Sequence, residues 1–185
     1  MAHVKSDREE ILERCLAAFV RAGTLDVSLD QLAGTVGASK RMLIHYFGGR
    51  EDIEEKAMAR LEEMLRAQFS PDSFPRGASP RHVVRSLWGQ ATAPERRGIL
   101  LLVMDVARRA WGGSKRARAF YNEQQRLWVE LLLQFLPDRR AVEDVLQMFQ
   151  GAVFTYLITG DAERGRRALT RMVAGNRGSR ARHGR

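Results

Sequence analysis

The 185-residue sequence predicts an all-α protein of about nine helices. Three observations carry that expectation. Apolar residues recur at three- and four-residue spacing in nearly every segment. No stretch alternates apolar and polar residues as a half-buried strand would. Capping residues and glycine stops divide the chain into helix-sized pieces.

Ser6 with Glu9 reads as a capping box, and Ile11, Leu12, Cys15, Leu16, Phe19 and Val20 form one wide apolar stripe. A first helix is therefore expected over about 7–22, with Gly23 as its stop. Ser28 and Gln31 form a second box; Leu32, Ala33 and Val36 share a face, and Gly37 supplies the positive φ that ends this helix. Ser39 caps a third helix, in which Leu43 and Phe47 point to the core. After Gly48-Gly49, Glu51 and Asp52 suit the positive end of a helix dipole, and Ile53, Ala57, Met58, Leu61, Met64 and Leu65 carry a fourth helix to about residue 69.

Residues 70–79, with two prolines among small polar residues, read as a linker. Ser79-Pro80 opens a helix over about 80–91, and Pro94 opens another that Gly112-Gly113 ends. Ser114 caps a helix over 115–136, Pro137-Asp138 starts one over 139–159, and a last helix follows Gly160-Asp161 to about Ala174. Residues 175–185, rich in Gly and Arg, are expected to be a disordered basic tail. The expected domains are a reader over 1–50 with a connecting helix over about 50–69, a helical bundle over 70–174, and that tail.

Hydrophobic content of 44% with 29% charged residues suits a soluble globular chain. No run of apolar residues is long enough to span a membrane, so no membrane partner is expected. The acidic N-terminal residues argue against a secretory signal, and the lone Cys15 cannot form an internal disulfide; a cytoplasmic setting fits both. The four histidines, at 3, 45, 82 and 183, form no His-x-x-x-His pair, and there is no cysteine pair, Gly-rich phosphate loop or catalytic triad spacing. Neither an enzyme nor a metal or other cofactor is expected. The net charge of +9 is unevenly spread: residues 1–69 hold ten Lys and Arg against twelve Asp and Glu, and residues 70–185 hold twenty-one against ten.

Bulk charge is therefore no argument for a nucleic-acid partner; the pattern at 28–50 is. Helix, short Gly-containing turn, helix is the arrangement of a helix-turn-helix. The outer face of its second helix carries Lys40, Arg41, His45 and Tyr46, with Arg50 just beyond. Between Asp30 and Glu51 there is no acidic residue, so a phosphate backbone meets this face without repulsion. The plainer alternative is a solvated basic face beside a packed tyrosine.

Leu32, Ala33, Gly37, Ser39, Lys40, Leu43, His45, Tyr46, Phe47, Arg50 and Ile53 stand where the signature of one regulator family has its own residues. Over residues 6–69 the chain resembles the N-terminal domain of TetR-family transcriptional regulators. It departs where the family often has Gly-Thr, here Arg41-Met42, and where it often has Tyr, here Ile44. The resemblance implies double-stranded DNA as partner, met by Ser28, Ser39, Lys40, Arg41, Met42, Ile44, His45, Tyr46 and Arg50. Lys40, His45, Tyr46 and Arg50 would meet phosphates and Arg41 a base edge, while Ile44 could at best touch a thymine methyl.

The same resemblance implies a C-terminal domain that binds a small-molecule effector and forms a homodimer. Trp88, Met104, Trp111, Phe120 and Phe149 are the candidate pocket residues, with plain core or dimer seam as the alternative for each. The last two helices are the candidate dimer seam, through Val145, Phe149, Ala152, Tyr156, Leu169 and Met172, with Gly151, Ala152 and Thr155 small enough for close approach. The pairs Arg96-Arg97 and Arg108-Arg109 either attract an anionic ligand or lie on solvated faces. The expected function is a dimeric, ligand-responsive regulator, a repressor released from a palindromic operator by a small molecule. The alternative is a non-specific architectural DNA-binding protein, suggested by the basic C-terminal part.

Overall fold

The computed structural model describes residues 2–68, 71–75 and 77–180, with the backbone alone at 2–6, 71 and 175–180. Among the described residues there are nine α-helices and no strand: α1 (Ala2–Ala22), α2 (Leu29–Val36), α3 (Lys40–Phe47), α4 (Arg50–Ala67), α5 (Pro80–Ala91), α6 (Arg97–Trp111), α7 (Lys115–Leu132), α8 (Arg139–Thr159) and α9 (Ala162–Arg180). Single 3-10 turns at Pro71–Ser73 and Pro94–Arg96 precede α5 and α6.

Local chemistry accounts for most of these limits. Ser28, Ser39, Ser79 and Asp138 each accept a backbone N–H of the helix they precede. Gly37 and Gly160 take left-handed conformations, φ 70° and 73°, that end α2 and α8. Four limits differ from expectation. α1 begins at Ala2 rather than after Ser6, because nothing in residues 2–5 breaks a helix. α7 stops at Leu132 instead of continuing to 136; residues 133–136 turn so that Leu136 still reaches the core and Phe135 packs edge-on to Phe74 at 5.2 Å. The expected opening of a helix at Pro94 is a 3-10 turn, with the α-helix starting at Arg97. α9 runs on to Arg180 past the expected end at Ala174, since arginine is a strong helix former and glycine tolerates helical φ. The rest of the expected tail, 181–185, lies outside the described residues.

The chain forms two compact units, Met1–Leu65 with Leu101–Tyr121, and Arg66–Leu100 with Asn122–Arg185. Residues 101–121, expected to lie with the second domain, thus pack in the first unit. There Leu102 and Val106 of α6 are buried, as are Cys15 and Phe19 of α1, Leu32 and Val36 of α2, Leu43 and Phe47 of α3, and Ile53, Ala57 and Met58 of α4. Burial pushes the Cys15 thiol up to about 11, so it is an inert packing group. Asp105, almost fully buried on α6, accepts the Leu25 N–H at 3.0 Å and the Thr24 hydroxyl at 3.3 Å, which ties α6 to the loop between α1 and α2.

The second unit is built around Trp88 of α5. Its indole is 2% exposed, donates Nε1–H to the Ala162 carbonyl at 2.8 Å, and meets Phe149 and Tyr156 of α8 edge-on at 5.5 and 6.2 Å. Gly165 of α9 lies against the same ring: a Cβ there would come within 2.3 Å of it. Val83, Val84 and Leu87 of α5, Val142, Val145, Ala152 and Val153 of α8, and Leu169 and Val173 of α9 complete this core.

Candidate nucleic-acid interface

The reader is built by two caps and a stop. Ser28 Oγ accepts the Gln31 N–H at 3.2 Å while Gln31 Oε1 accepts the Ser28 N–H at 2.9 Å, the reciprocal box expected from the sequence. At the other end of α2, Arg14 of α1 donates to the Val36 carbonyl at 3.1 Å, satisfying one of the last carbonyls of that helix. Ser39 then starts α3 by accepting the Met42 N–H at 3.1 Å.

With Leu43 and Phe47 buried, the opposite side of α3 faces outward. Ser28, Ser39, Lys40, Arg41 and His45 are exposed, and so are the apolar Met42 and Ile44, at 40% and 45%. Tyr46 and Arg50 are half-buried; Tyr46 packs between the rings of His45 and Phe47, at centroid distances of 5.6 and 6.2 Å. Arg8 of α1 sits over Phe47 at 5.7 Å, bracing α3 from behind. One short helix thus presents cations beside two apolar side chains, the mixture that meets phosphates and thymine methyls.

Not every cation on this side is free. Lys40 pairs with Asp30 of α2 at 3.0 Å, between two exposed groups, a pair that costs little to break. Arg50 lies 2.8 Å from Glu54 and 3.6 Å from Asp26. Glu54 also receives Arg109 at 2.7 Å, and Asp26 receives Arg108 at 3.0 Å and Arg109 at 2.9 Å. Arg108 and Arg109 therefore neither lie on a purely solvated face nor wait for an anion: they are partners of Asp26, Glu54 and Asp105. Asp105 stands at helical spacing from both on α6, but sequence spacing gave no sign of Asp26 and Glu54, which lie in a loop and on another helix.

Burial drives the Glu54 carboxyl above the usual range even though Arg109 and Arg50 pull it down. At Asp105 burial also pushes upward, but the Leu25 N–H together with Arg108 and Arg109 outweighs it, and the carboxyl stays below its ordinary value.

The candidate effector residues divide between the two units. Trp88 and Phe149 pin the core of the second unit, whereas Met104, Trp111 and Phe120 belong to the first. Trp111, at the last position of α6, is 89% exposed. Phe120 lines a cleft described below. The candidate seam residues divide similarly. Val145, Ala152 and Leu169 are buried inside their own unit, and Tyr156 bonds the Thr92 carbonyl at 3.1 Å, so these side chains are spent on the fold of one chain. Met172 is half-buried. The apolar residues left uncovered on α8 are Phe154 and Ile158, 60% and 68% exposed, beside exposed Gly151. Among the described residues no group of three or more His, Cys, Asp or Glu is placed to hold a metal ion, and no helix is long and apolar enough to cross a membrane.

This architecture has solved counterparts. A putative TetR-family regulator from Rhodococcus sp. superposes with a TM-score of 0.73 at 17% identity, covering 90% of this chain and 96% of that one. The chain has the TetR-family fold. A regulator from Saccharomonospora viridis, solved in complex with choline, shares this TetR-family fold at a TM-score of 0.74 and 16% identity, over 93% of this chain and 97% of its own. Among curated sequences, the HTH-type transcriptional regulator TtgW of Pseudomonas putida is 30% identical over 71 residues. SrpR, also HTH-type and from Pseudomonas putida, is 28% identical over 71 residues. Each match takes in 38% of this chain, and it spans about half of TtgW, 53%, and a third of SrpR, 33%. No family model matches the chain.

Proposed function

We propose that the chain is a dimeric transcriptional regulator that reads double-stranded DNA with α3 and is released from a palindromic operator by a small molecule. The observation that carries this reading is the outward face of α3: Lys40, Arg41, Met42, Ile44 and His45 are exposed on a helix whose Leu43 and Phe47 are locked into the core. Arg41 inserts toward a guanine edge; Lys40, His45, Tyr46 and Arg50 hold phosphates, the last of them near the start of α4, where backbone N–H groups share the charge. A single eight-residue helix gives little selectivity. Two copies about one helical turn of DNA apart, roughly 34–36 Å, multiply it and call for a pseudo-palindromic site.

The similarity to HTH-type regulators supports the DNA partner, and the choline complex of a protein of the same fold supports a small-molecule effector. Effector and operator are then antagonistic by linkage: whatever favours the conformation that binds one disfavours the other. Gel-shift titration on the chain's own promoter region tests this. A palindromic site bound at nanomolar protein at least about a thousandfold more tightly than random DNA is expected. Equal affinity for every sequence, with a steep salt dependence that vanishes on removing residues 175–185, would instead make it an architectural DNA-binding protein.

A further inference from the structure

The first unit contains a cleft of about 120 Å³ where α4 meets the end of α6 and the start of α7. That is less than the about 150 Å³ of an apolar cavity that encloses a benzene, but the cleft is open to solvent, so a ring can seat on its floor with its arm at the mouth. Its floor is apolar, made by Met58, Val106 and Phe120, the first two only 2% and 6% exposed. Its walls are acidic. Glu51, Glu54 and Glu55 line it against two guanidinium groups, Arg109 and Arg116.

Two features say which ligand charge fits. The Glu54 side chain is 7% exposed, and its Oε1 lacks an aligned hydrogen-bond donor although Arg50 Nε lies 2.8 Å away. Burial raises its carboxyl above the usual range even with Arg109 and Arg50 beside it. At the mouth, the single guanidinium of Arg116 is spread over Asp52 at 2.7 Å, Glu51 at 3.7 Å and a close contact with Glu55, while its side chain stays 43% exposed. Arg116 is a removable cation over an anionic opening, held by pairs that solvent already weakens. Arg109 Nε also lacks an aligned acceptor, but it lies 3.4 Å from Asp105, its other nitrogens go to Glu54 and Asp26, and an anion beside it would face Glu54 and Glu55.

We propose that this cleft binds a small amphipathic amine, its apolar body on Met58, Val106 and Phe120 and its ammonium donating to Glu54 and Glu55 in place of Arg116. Displacing Arg116 unties the start of α7 from the first turns of α4, the helix that begins with Arg50. The regulatory meaning of that release rests on the DNA-reading function above; the binding does not.

Calorimetry on the full chain without DNA separates the two. Phenethylammonium is expected to bind saturably with one site per chain, while 3-phenylpropionate and phenethyl alcohol give no heat of binding. Glu55→Gln, at a half-exposed position, is expected to weaken the ammonium about fivefold, and Arg116→Ala to tighten it by a similar factor. Absence of ammonium binding, equal binding of the alcohol, or loss of binding in Arg116→Ala overturns the proposal. A chain that binds phenethylammonium but prefers no DNA sequence would overturn the operator reading and leave this site standing.

Discussion

Arg41 and Lys40 are neighbours on α3 whose surroundings differ, which suits them to different proposed roles. Among the described residues Arg41 has no ion pair, so its planar fork is available for a base edge, whereas Lys40 is a point charge already shared with Asp30. Arg41→Ala is expected to cost about 1–3 kcal/mol against the preferred base pair in each half-site and to relax preference there alone. Lys40→Ala is expected to weaken all sequences alike and to lower the salt slope by about one per half-site, since it removes one phosphate contact. Binding isotherms over a panel of single-base operator variants at two salt concentrations check both. Equal, sequence-independent losses would remove Arg41 as a reader. Arg41 stands where the resembling family often has glycine, so the proposed operator is expected to differ from that of such relatives, because a long bidentate donor replaces close backbone approach.

Between helices, two single residues decide how the units hold. Asp105 joins α6 to the loop before α2 through the Leu25 N–H and pairs with Arg108 at 2.6 Å. Asp105→Asn is expected to cost about 2–4 kcal/mol at neutral pH, since it leaves buried donors and arginines without their charge partner. The folded carboxyl lies below its unfolded value of about 3.9, so its stabilisation is complete above that pH and is lost as pH falls through the folded value. Denaturant melts of wild type and variant should therefore converge in acid; a gap independent of pH refutes this. In the second unit Gly165→Ala gains about 1 kcal/mol of helix propensity but drives a Cβ into a buried, hydrogen-bonded indole, a net loss of about 1–3 kcal/mol. Gly89→Ala, on exposed α5 surface with nothing within 4 Å, is expected to change the melting temperature in the opposite direction. The contrast shows what the sequence could and could not reveal. Ser28 with Gln31, Ser39, Gly37 and Gly160 act on backbone a few residues away, and so were legible. Gly165 and Gly89 look alike in sequence, and Arg109 finds Glu54 and Asp26 more than fifty residues off, through contacts that only the fold creates.

For the whole molecule, the face proposed to pair two chains is the part that periodicity reads least well. Val145, Ala152 and Leu169 recur at helical spacing, and so do Phe154 and Ile158; nothing local says which set a chain keeps for itself. Burial separates them: the first set lies in the core of one unit, the second is 60% and 68% exposed on α8. A two-fold interface doubles every contact, so covering Phe154 and Ile158 in both copies buries four side chains worth about 1.5–3 kcal/mol each, roughly 6–12 kcal/mol before association costs. Nanomolar dimerisation needs about 12 kcal/mol net of association costs, so these four supply part of the gain and neighbouring contacts along the seam supply the rest. The double variant Phe154→Asp, Ile158→Asp is therefore expected to sediment as a monomer at micromolar concentration while keeping its helical signal, because neither side chain supports the protomer's core. Its operator affinity should fall by orders of magnitude, since each half-site would be bound separately. Val145→Asp is expected to do the reverse, unfolding the chain rather than dissociating it, because a carboxylate at a site 1% exposed has no partner. A monomeric wild type, or a double variant that remains dimeric, would move the seam elsewhere and remove the symmetry on which palindrome reading depends.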